Sequence, residues 1–198
     1  MNQDLFEQDQ KEVNFSPSMI LKDLKSILFP MIVLFPILCI WAHSWSSLAV
    51  GVIFSICLLI VSVLDLRYGM IFDKFLISML ILGVIFSIAG LSIPIRFGIP
   101  AAIFGLLLLL LIRSVSNGGI GGGDVKFVFV LGLWLGMRGL LVALFLAFIL
   151  GTIFSLVLAM KFRSFKIAIP FGPFLSFGAE FAFLYHKELI EMYKSLFF

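Results

Sequence analysis

The feature that most constrains the fold is the length of the uncharged apolar segments. Residues 27–64 contain no lysine, arginine, aspartate or glutamate, and most of them are aliphatic or aromatic. A membrane-spanning helix needs about 20 apolar residues, so this one segment is long enough for two. Trp41 and Trp45 stand near its middle, and tryptophans are typical of a membrane–water interface. The pattern therefore predicts two crossings that meet at an interface.

Composition extends this conclusion to the whole chain. Of the 198 residues, 62% are hydrophobic and only 13% are charged, which excludes an ordinary soluble domain and indicates a protein of the lipid bilayer. The net charge is only +3, and no basic cluster favours binding of nucleic acid. Cys39 and Cys57 lie inside apolar segments and form no CxxC pair, so we expect no metal site, no disulfide framework and no cofactor.

Short polar turns divide the chain into apolar segments, and we predict an all-α, polytopic membrane bundle of about seven transmembrane helices. The predicted spans are at about 27–42, 47–64, 74–93, 99–113, 124–137, 139–160 and 170–186. The fifth span is short, since about 14 residues cover about 21 Å and the hydrocarbon core is about 30 Å thick. A short span fits a preceding loop that dips below the membrane surface.

We predict four parts in the chain. They are a cytoplasmic amphipathic lead-in at 1–26, an extra N-terminal span at 27–45, a six-helix core at 46–186 and a polar tail at 187–198. Lysines and arginines are concentrated on one side of the bilayer if the N-terminus is cytoplasmic, and this bias predicts that orientation. Asp65 and Asp124 then both fall at the cytoplasmic face.

Between the fourth and fifth spans, residues 118–126 read GGIGGGDVK. Glycine adopts backbone angles closed to other residues and lets another chain come close. Irregular backbone at membrane depth is tolerated only where it is buried in protein or lines a wet cavity, and an ionisable residue there indicates function. The alternative interpretation is a flexible loop with Asp124 as a helix cap.

Two facing carboxylates can drive the attack of water on a peptide without a metal. Like charges a few ångströms apart cannot both ionise, so one carboxyl group keeps its proton. The ionised group takes a proton from water, and the protonated group donates to the carbonyl oxygen. The loop contains no GKS or GKT sequence, so it is not a phosphate-binding P-loop. His43 and His186 fall on the outer side, so a histidine-based triad or zinc site is not predicted.

Three motifs together resemble the type IV prepilin peptidases, which are GxGD-type intramembrane aspartyl proteases. Residues 65–73, DLRYGMIFD, look like the family's first aspartate motif, in which Asp or Asn follows the aspartate eight residues later. Residues 121–126 fit GxGD followed by Val or Phe and then Lys, and residues 169–179, IPFGPFLSFGA, are similar to the C-terminal signature. The resemblance covers roughly 47–180. GxGD alone is a weak signal, but three motifs in this order are specific.

The resemblance implies a peptidase of the bacterial or archaeal cytoplasmic membrane. Such an enzyme would remove short basic leaders from prepilin or pseudopilin substrates at the cytoplasmic face, with Asp65 and Asp124 as the catalytic pair. Many bacterial members begin with a domain of paired CxxC motifs linked with N-methylation, and the resemblance leaves methylation unsupported here. A non-enzymatic transporter or an assembly scaffold of a pilus or secretion system is the alternative, and it would keep its function without either carboxylate. The oligomeric state is left open.

The other motif residues have predicted roles of their own. The loop glycines would line the active site near the substrate backbone, through a positive φ or a close contact: Gly121, Gly122 and Gly123. Asp73 is predicted to be the N-cap of the third span, because its family position accepts Asn, although Phe72 replaces the family's usual proline. The C-terminal signature supplies structural residues: Pro170, Gly172 and Pro173.

Two charged residues are possible substrate contacts. Lys126 is two residues past Asp124, so it points to the opposite side of the helix and would reach the lipid headgroups instead. Glu180 lies about 15 Å beyond Pro170 by helix rise, so it should face the bundle or be protonated. A neutral, hydrogen-bonded packing residue is the alternative for Glu180.

A shared site also constrains helix packing. If Asp65 and Asp124 are neighbours, the second and fifth spans must lie side by side. Gly132 and Gly136 would allow a close approach there, although lipid or another helix could use that face instead.

Overall fold

The computed structural model describes residues 45–116, 119–162 and 170–197, and these contain five helices. The helices are α1 (Trp45–Tyr68), α2 (Asp73–Ile88), α3 (Ile95–Val115), α4 (Gly122–Phe162) and α5 (Gly172–Phe197). The described ranges include no strand, so the all-α prediction is confirmed. The lead-in at 1–26 and nearly all of the extra span at 27–45 lie outside the described residues, and α5 continues as a helix through most of the predicted tail.

Three of these helices are long and apolar enough to cross a bilayer, which identifies a membrane protein. They are Trp45–Tyr68, Ile95–Val115 and the part of α4 at Gly122–Val157. The α2 helix has 16 residues, fewer than the roughly 20 that span the hydrocarbon core perpendicularly. The count of seven spans remains a prediction.

The long α4 helix contains a reversal at Gly136. This residue has φ 65 and ψ −179, a conformation that favours glycine. Val128 and Leu140, on either side of it, both come within 3 Å of the position that a Cβ atom on Gly105 would occupy. In a straight helix these two residues would lie about 18 Å apart along the axis. The chain therefore folds back at Gly136, close to the predicted break between the fifth and sixth spans.

Small residues bring α3 against the first part of α4. A Cβ atom on Gly132 would collide with the backbone of Ala102, and one on Gly98 would lie 2.9 Å from the carbonyl oxygen of Leu133. This backbone-to-backbone approach is possible only because neither glycine carries a side chain. Gly132 thus packs against α3 and not against α1. The sequence analysis had left open that a helix other than α1 contacts this face.

Trp134 joins three helices in the core. Its indole is almost completely buried, stacks on Phe54 of α1 with ring centroids 4.8 Å apart, and meets Phe86 of α2 edge-on. A buried indole N–H needs an acceptor, and here it donates to the carbonyl oxygen of Met79 at 3.0 Å. The first part of α4 is therefore held between α1 and α2, the helices that carry Asp65 and Asp73.

Candidate active site

Asp65 lies in the last turn of α1 and is only 6% exposed. The backbone N–H of Gly172, the first residue of α5, donates a hydrogen bond to Asp65 Oδ2 at 2.7 Å. The first N–H groups of a helix have no partner within the helix, and the helix dipole favours a negative charge there. Pro173 follows in the first helical turn, where its missing N–H is tolerated. Two residues of the predicted C-terminal signature, Gly172 and Pro173, thus form the start of α5, the helix whose N-terminus binds the Asp65 carboxylate.

The close fit between these two residues requires glycine. A Cβ atom on Gly172 would lie 2.6 Å from Asp65 Oδ2 and 3.0 Å from Asp65 Cβ, well inside contact distance. Any side chain at this position would displace the carboxylate. The sequence analysis assigned Gly172 to a motif but contained no signal for this long-range contact.

Asp124 is the third residue of α4 and is 8% exposed. Its carboxylate accepts a hydrogen bond from the backbone of Gly121, which immediately precedes the helix. This is the backward bond that an acidic residue makes at the third helical position, so Asp124 is not the N-cap residue of the alternative interpretation. The Oδ1 atom of Asp124 has no hydrogen-bond partner among the described residues. One oxygen is therefore held by the loop, and the other remains available.

Asp65 and Asp124 come together at one end of the bundle and are close enough to repel each other as charges. About three turns further along both helices, Phe54 and Trp134 are stacked, so α1 and the first part of α4 run antiparallel. This arrangement brings two carboxylates from distant parts of the chain to the same end of the bundle, and a shared catalytic site stays a prediction. In the described ranges no three His, Cys, Asp or Glu side chains cluster as metal ligands would.

The loop glycines make room for other groups by close contact. A Cβ atom on Gly121 would lie 2.8 Å from Asp124 Oδ2, and one on Gly123 would lie 3.0 Å from Ile71 Cβ in the turn between α1 and α2. None of the described glycines between 119 and 123 has a positive φ. The positive-φ explanation is therefore wrong for these residues, and the contacts seen are with the protein itself.

Gly122 makes room for Arg113, a residue for which the sequence analysis predicted no role at the site. Arg113, in the last turn of α3, places its Nη1 atom 2.8 Å from the position of a Cβ on Gly122. The guanidinium group therefore lies over the glycine loop, next to the start of α4. Arg113 belongs to the surroundings of the site, and only the folded chain brings it there.

The predicted roles of Asp73 and Lys126 need correction. Asp73 is the first residue of α2, Phe72 occupies the N-cap position, and no side chain caps the helix. Both carboxylate oxygens of Asp73 instead accept hydrogen bonds from Lys126 Nζ, at 2.7 and 2.8 Å. The N-cap prediction for Asp73 is wrong, and Lys126 reaches toward α2 and not away from the protein. Phe72 has φ −76, an angle that the family's usual proline would also adopt.

Glu180 points into the bundle, as expected for a carboxyl group at this depth. It is 8% exposed, and its Oε1 atom lies 2.8 Å from Ser55 Oγ on α1. It is about 12 Å from Gly172 along α5, which separates it from the two aspartates. A substrate contact by Glu180 stays a prediction, and Ser55 is a partner that the sequence analysis missed.

Comparisons with known proteins match this chain to one family model and to several relatives. The family model described as the type IV leader peptidase family matches residues 52–156, a range that contains both Asp65 and Asp124. No solved structure matches the chain significantly.

Three relatives share the name prepilin leader peptidase/N-methyltransferase. The protein of Bacillus subtilis (strain 168) is 32% identical over 147 residues, which are 72% of this chain and 58% of the relative. The protein of Xanthomonas campestris pv. campestris is 28% identical over 179 residues, or 85% of this chain and 62% of the relative. The protein of Neisseria gonorrhoeae is 30% identical over 163 residues, or 76% and 55%. The chain thus matches little more than half the length of these curated relatives.

Proposed function

Because the chain belongs to the type IV leader peptidase family, we propose that it is a membrane aspartyl endopeptidase that removes leader peptides from prepilins or pseudopilins. The names of its relatives support this substrate class. The proposal covers peptide cleavage only and does not extend to the N-methylation that those names also include.

The observation that carries the proposal is the pairing of two buried carboxylates, Asp65 and Asp124, at the ends of two helices. One carboxylate takes a proton from water, and the resulting hydroxide adds to the carbonyl carbon of the scissile peptide. The other carboxyl group donates its proton to the carbonyl oxygen. The first carboxyl group then passes its proton to the amide nitrogen, and the C–N bond breaks. As the carbonyl group re-forms, a hydroxyl of the tetrahedral intermediate returns its proton to the other carboxylate, so the pair again holds one proton.

The surroundings of the pair support cleavage at the cytoplasmic face. The end of the bundle that holds the pair carries four cationic residues: Arg67, Lys74, Arg113 and Lys126. The opposite end carries Arg96, beside the turn into α3, Arg138, beside the reversal in α4, and Lys187 and Lys194, in the later turns of α5. Positively charged residues are enriched on the cytoplasmic side of membrane proteins. The bias of lysine and arginine along the whole sequence therefore supports a cytoplasmic position for the aspartates. A substrate with a short basic leader and an apolar helix would present its cleavage site at this level.

The test is cleavage of a prepilin-like substrate by the purified protein in detergent, with the released leader identified by mass spectrometry. We expect Asp65→Asn and Asp124→Asn each to abolish cleavage while the protein still folds, because an amide cannot exchange the proton. Asp73→Asn is the matched control, since it changes a nearby carboxylate in an exposed ion pair and should keep most of the activity.

Full cleavage by either of the first two variants would refute the aspartyl mechanism. If the wild-type protein cleaves no prepilin-like substrate but still supports pilus or secretion assembly, the scaffold alternative is favoured. Loss of activity in the Asp73→Asn variant alone would mean that the wrong partner had been assigned to the pair.

A further inference from the structure

Glu180 is a buried ionisable residue that the proposed cleavage chemistry does not use. Its carboxyl group lies between α5 and α1, contacts Ser55 through Oε1, and leaves Oε2 without a partner among the described residues. An ionised carboxylate with so few partners is costly inside a membrane-embedded bundle. A buried ionisable residue of this kind is therefore expected to have a structural or catalytic role.

The hydrogen bonds around Ser55 show which protonation state satisfies the contacts. Ser55 Oγ lies 2.9 Å from the carbonyl oxygen of Gly51 and 2.8 Å from Glu180 Oε1. A serine hydroxyl has one proton, so it donates only one of these two bonds, and the Gly51 carbonyl can only accept. If each contact is an ordinary two-centre hydrogen bond, Ser55 donates to Gly51 and Glu180 donates to Ser55. A carboxyl group donates only when it is protonated.

The Glu180–Ser55 contact is one of two polar contacts that join α5 to α1, and the other lies at the candidate active site. The same two helices are joined by the hydrogen bond from Gly172 N–H to Asp65, at 2.7 Å. The two contacts are about 15 Å apart along α1 and about 12 Å apart along α5. Two polar contacts this far apart, together with the ring contact between Phe54 and Phe183, oppose sliding and rotation of one helix on the other.

We propose that Glu180 is a positioning residue: as a neutral acid bonded to Ser55, it holds α5 in the register that places the Gly172 N–H group on Asp65. The inference rests on the proposed function, because it takes Asp65 to be one of the catalytic carboxylates. It differs from a substrate contact, since the Glu180 side chain is buried against α1 and lies about two helical turns from Gly172.

The kinetic test compares three variants for folding, KM and kcat. Glu180→Leu should lower kcat about 10-fold or more with little change in KM, because a misplaced Gly172 loses a hydrogen bond to a charged group. Glu180→Gln should stay within about threefold of wild type, because its amide N–H can still donate to Ser55. Phe183→Leu is the matched control: it weakens a ring contact with Phe54 in the same helix interface, at 5.0 Å, and should reduce thermal stability but not kcat.

A wild-type kcat in Glu180→Leu, or an equal loss in Phe183→Leu, would overturn the proposal. A raised KM with unchanged kcat would identify a substrate contact instead. If Glu180→Leu does not fold, Ser55→Ala removes the same contact from α1 and should lower kcat in the same way. A folded Ser55→Ala variant with wild-type kcat would overturn the proposal equally.

Infrared spectroscopy tests the neutral acid without any substrate. The difference spectrum between wild type and Glu180→Gln at neutral pH should contain the carbonyl stretch of a protonated carboxylic acid. Only carboxylate bands in that spectrum would refute the donated hydrogen bond. Because this measurement needs no cleavage, it separates a failure of the Glu180 inference from a failure of the proposed peptidase function.

Discussion

The contact between Gly172 and Asp65 leads to the sharpest prediction. In a Gly172→Ala variant the new Cβ atom would lie 2.6 Å from Asp65 Oδ2 and 3.0 Å from Asp65 Cβ and Cγ. Favourable contacts between such atoms are about 3.5 Å or longer, so the carboxylate and the start of α5 must separate by up to about 1 Å. The 2.7 Å hydrogen bond from Gly172 N–H then exceeds hydrogen-bonding distance.

The expected cost follows from that loss. A hydrogen bond to a charged group is worth about 1.5–3 kcal/mol, which corresponds to about a 10- to 100-fold fall in kcat if the bond positions Asp65 in the transition state. A misplacement of about 1 Å in a catalytic group has an effect of the same size. KM should change little, because Gly172 binds the enzyme's own carboxylate and not the substrate.

The assay is steady-state cleavage of a prepilin-like peptide, with thermal unfolding measured on the same detergent-solubilised samples. Gly90→Ala is the matched control, because Gly90 has φ 72 in the turn at the opposite end of the bundle. Alanine in that conformation costs about 1–2 kcal/mol of stability without touching the site. A Gly172→Ala variant that folds and keeps the wild-type kcat would refute the assignment of Gly172 as the residue that holds Asp65.

Three further outcomes are expected. Gly121→Ala should lower kcat for cleavage more than Gly123→Ala, because the new Cβ atom at 121 would press on Asp124 and the one at 123 would press on Ile71. The opposite order would mean that the turn at Ile71 matters more than the position of the Asp124 carboxylate. The pH profile of kcat should be bell-shaped, since activity is lost when both carboxyl groups are protonated and again when neither is; a single sigmoidal limb would argue against a pair that shares one proton. Cysteines in place of Asp65 and Asp124, in a background free of native cysteines, should be joined by a short cross-linker in membranes, and failure of every short cross-linker would refute the shared site.

Much of the fold and part of the site could be predicted from local patterns. Apolar segments of spanning length and the polar turns between them determine where membrane helices begin and end, because the bilayer leaves few alternatives for an apolar chain. Counting spans then brings Asp65 and Asp124 to the same face, since each crossing reverses the direction of the chain. The glycine-rich loop before Asp124 also marks the site, because such irregular backbone is rare next to membrane helices.

The sequence could not determine the contacts between helices. The pairing of Lys126 with Asp73 replaced a predicted helix cap, because the relative rotation of α2 and α4 decides which charges meet.

By itself, the sequence determined that the chain is helical and membrane-embedded, and it predicted that the two aspartates share one face, because these features depend on hydrophobicity and charge along the chain. Only the tertiary structure decided that Gly132 faces α3, that Gly172 binds Asp65 and that Glu180 meets Ser55. Each of these contacts depends on how far two helices are shifted and rotated against each other. That geometry is set by packing across the whole bundle, and no single segment contains it.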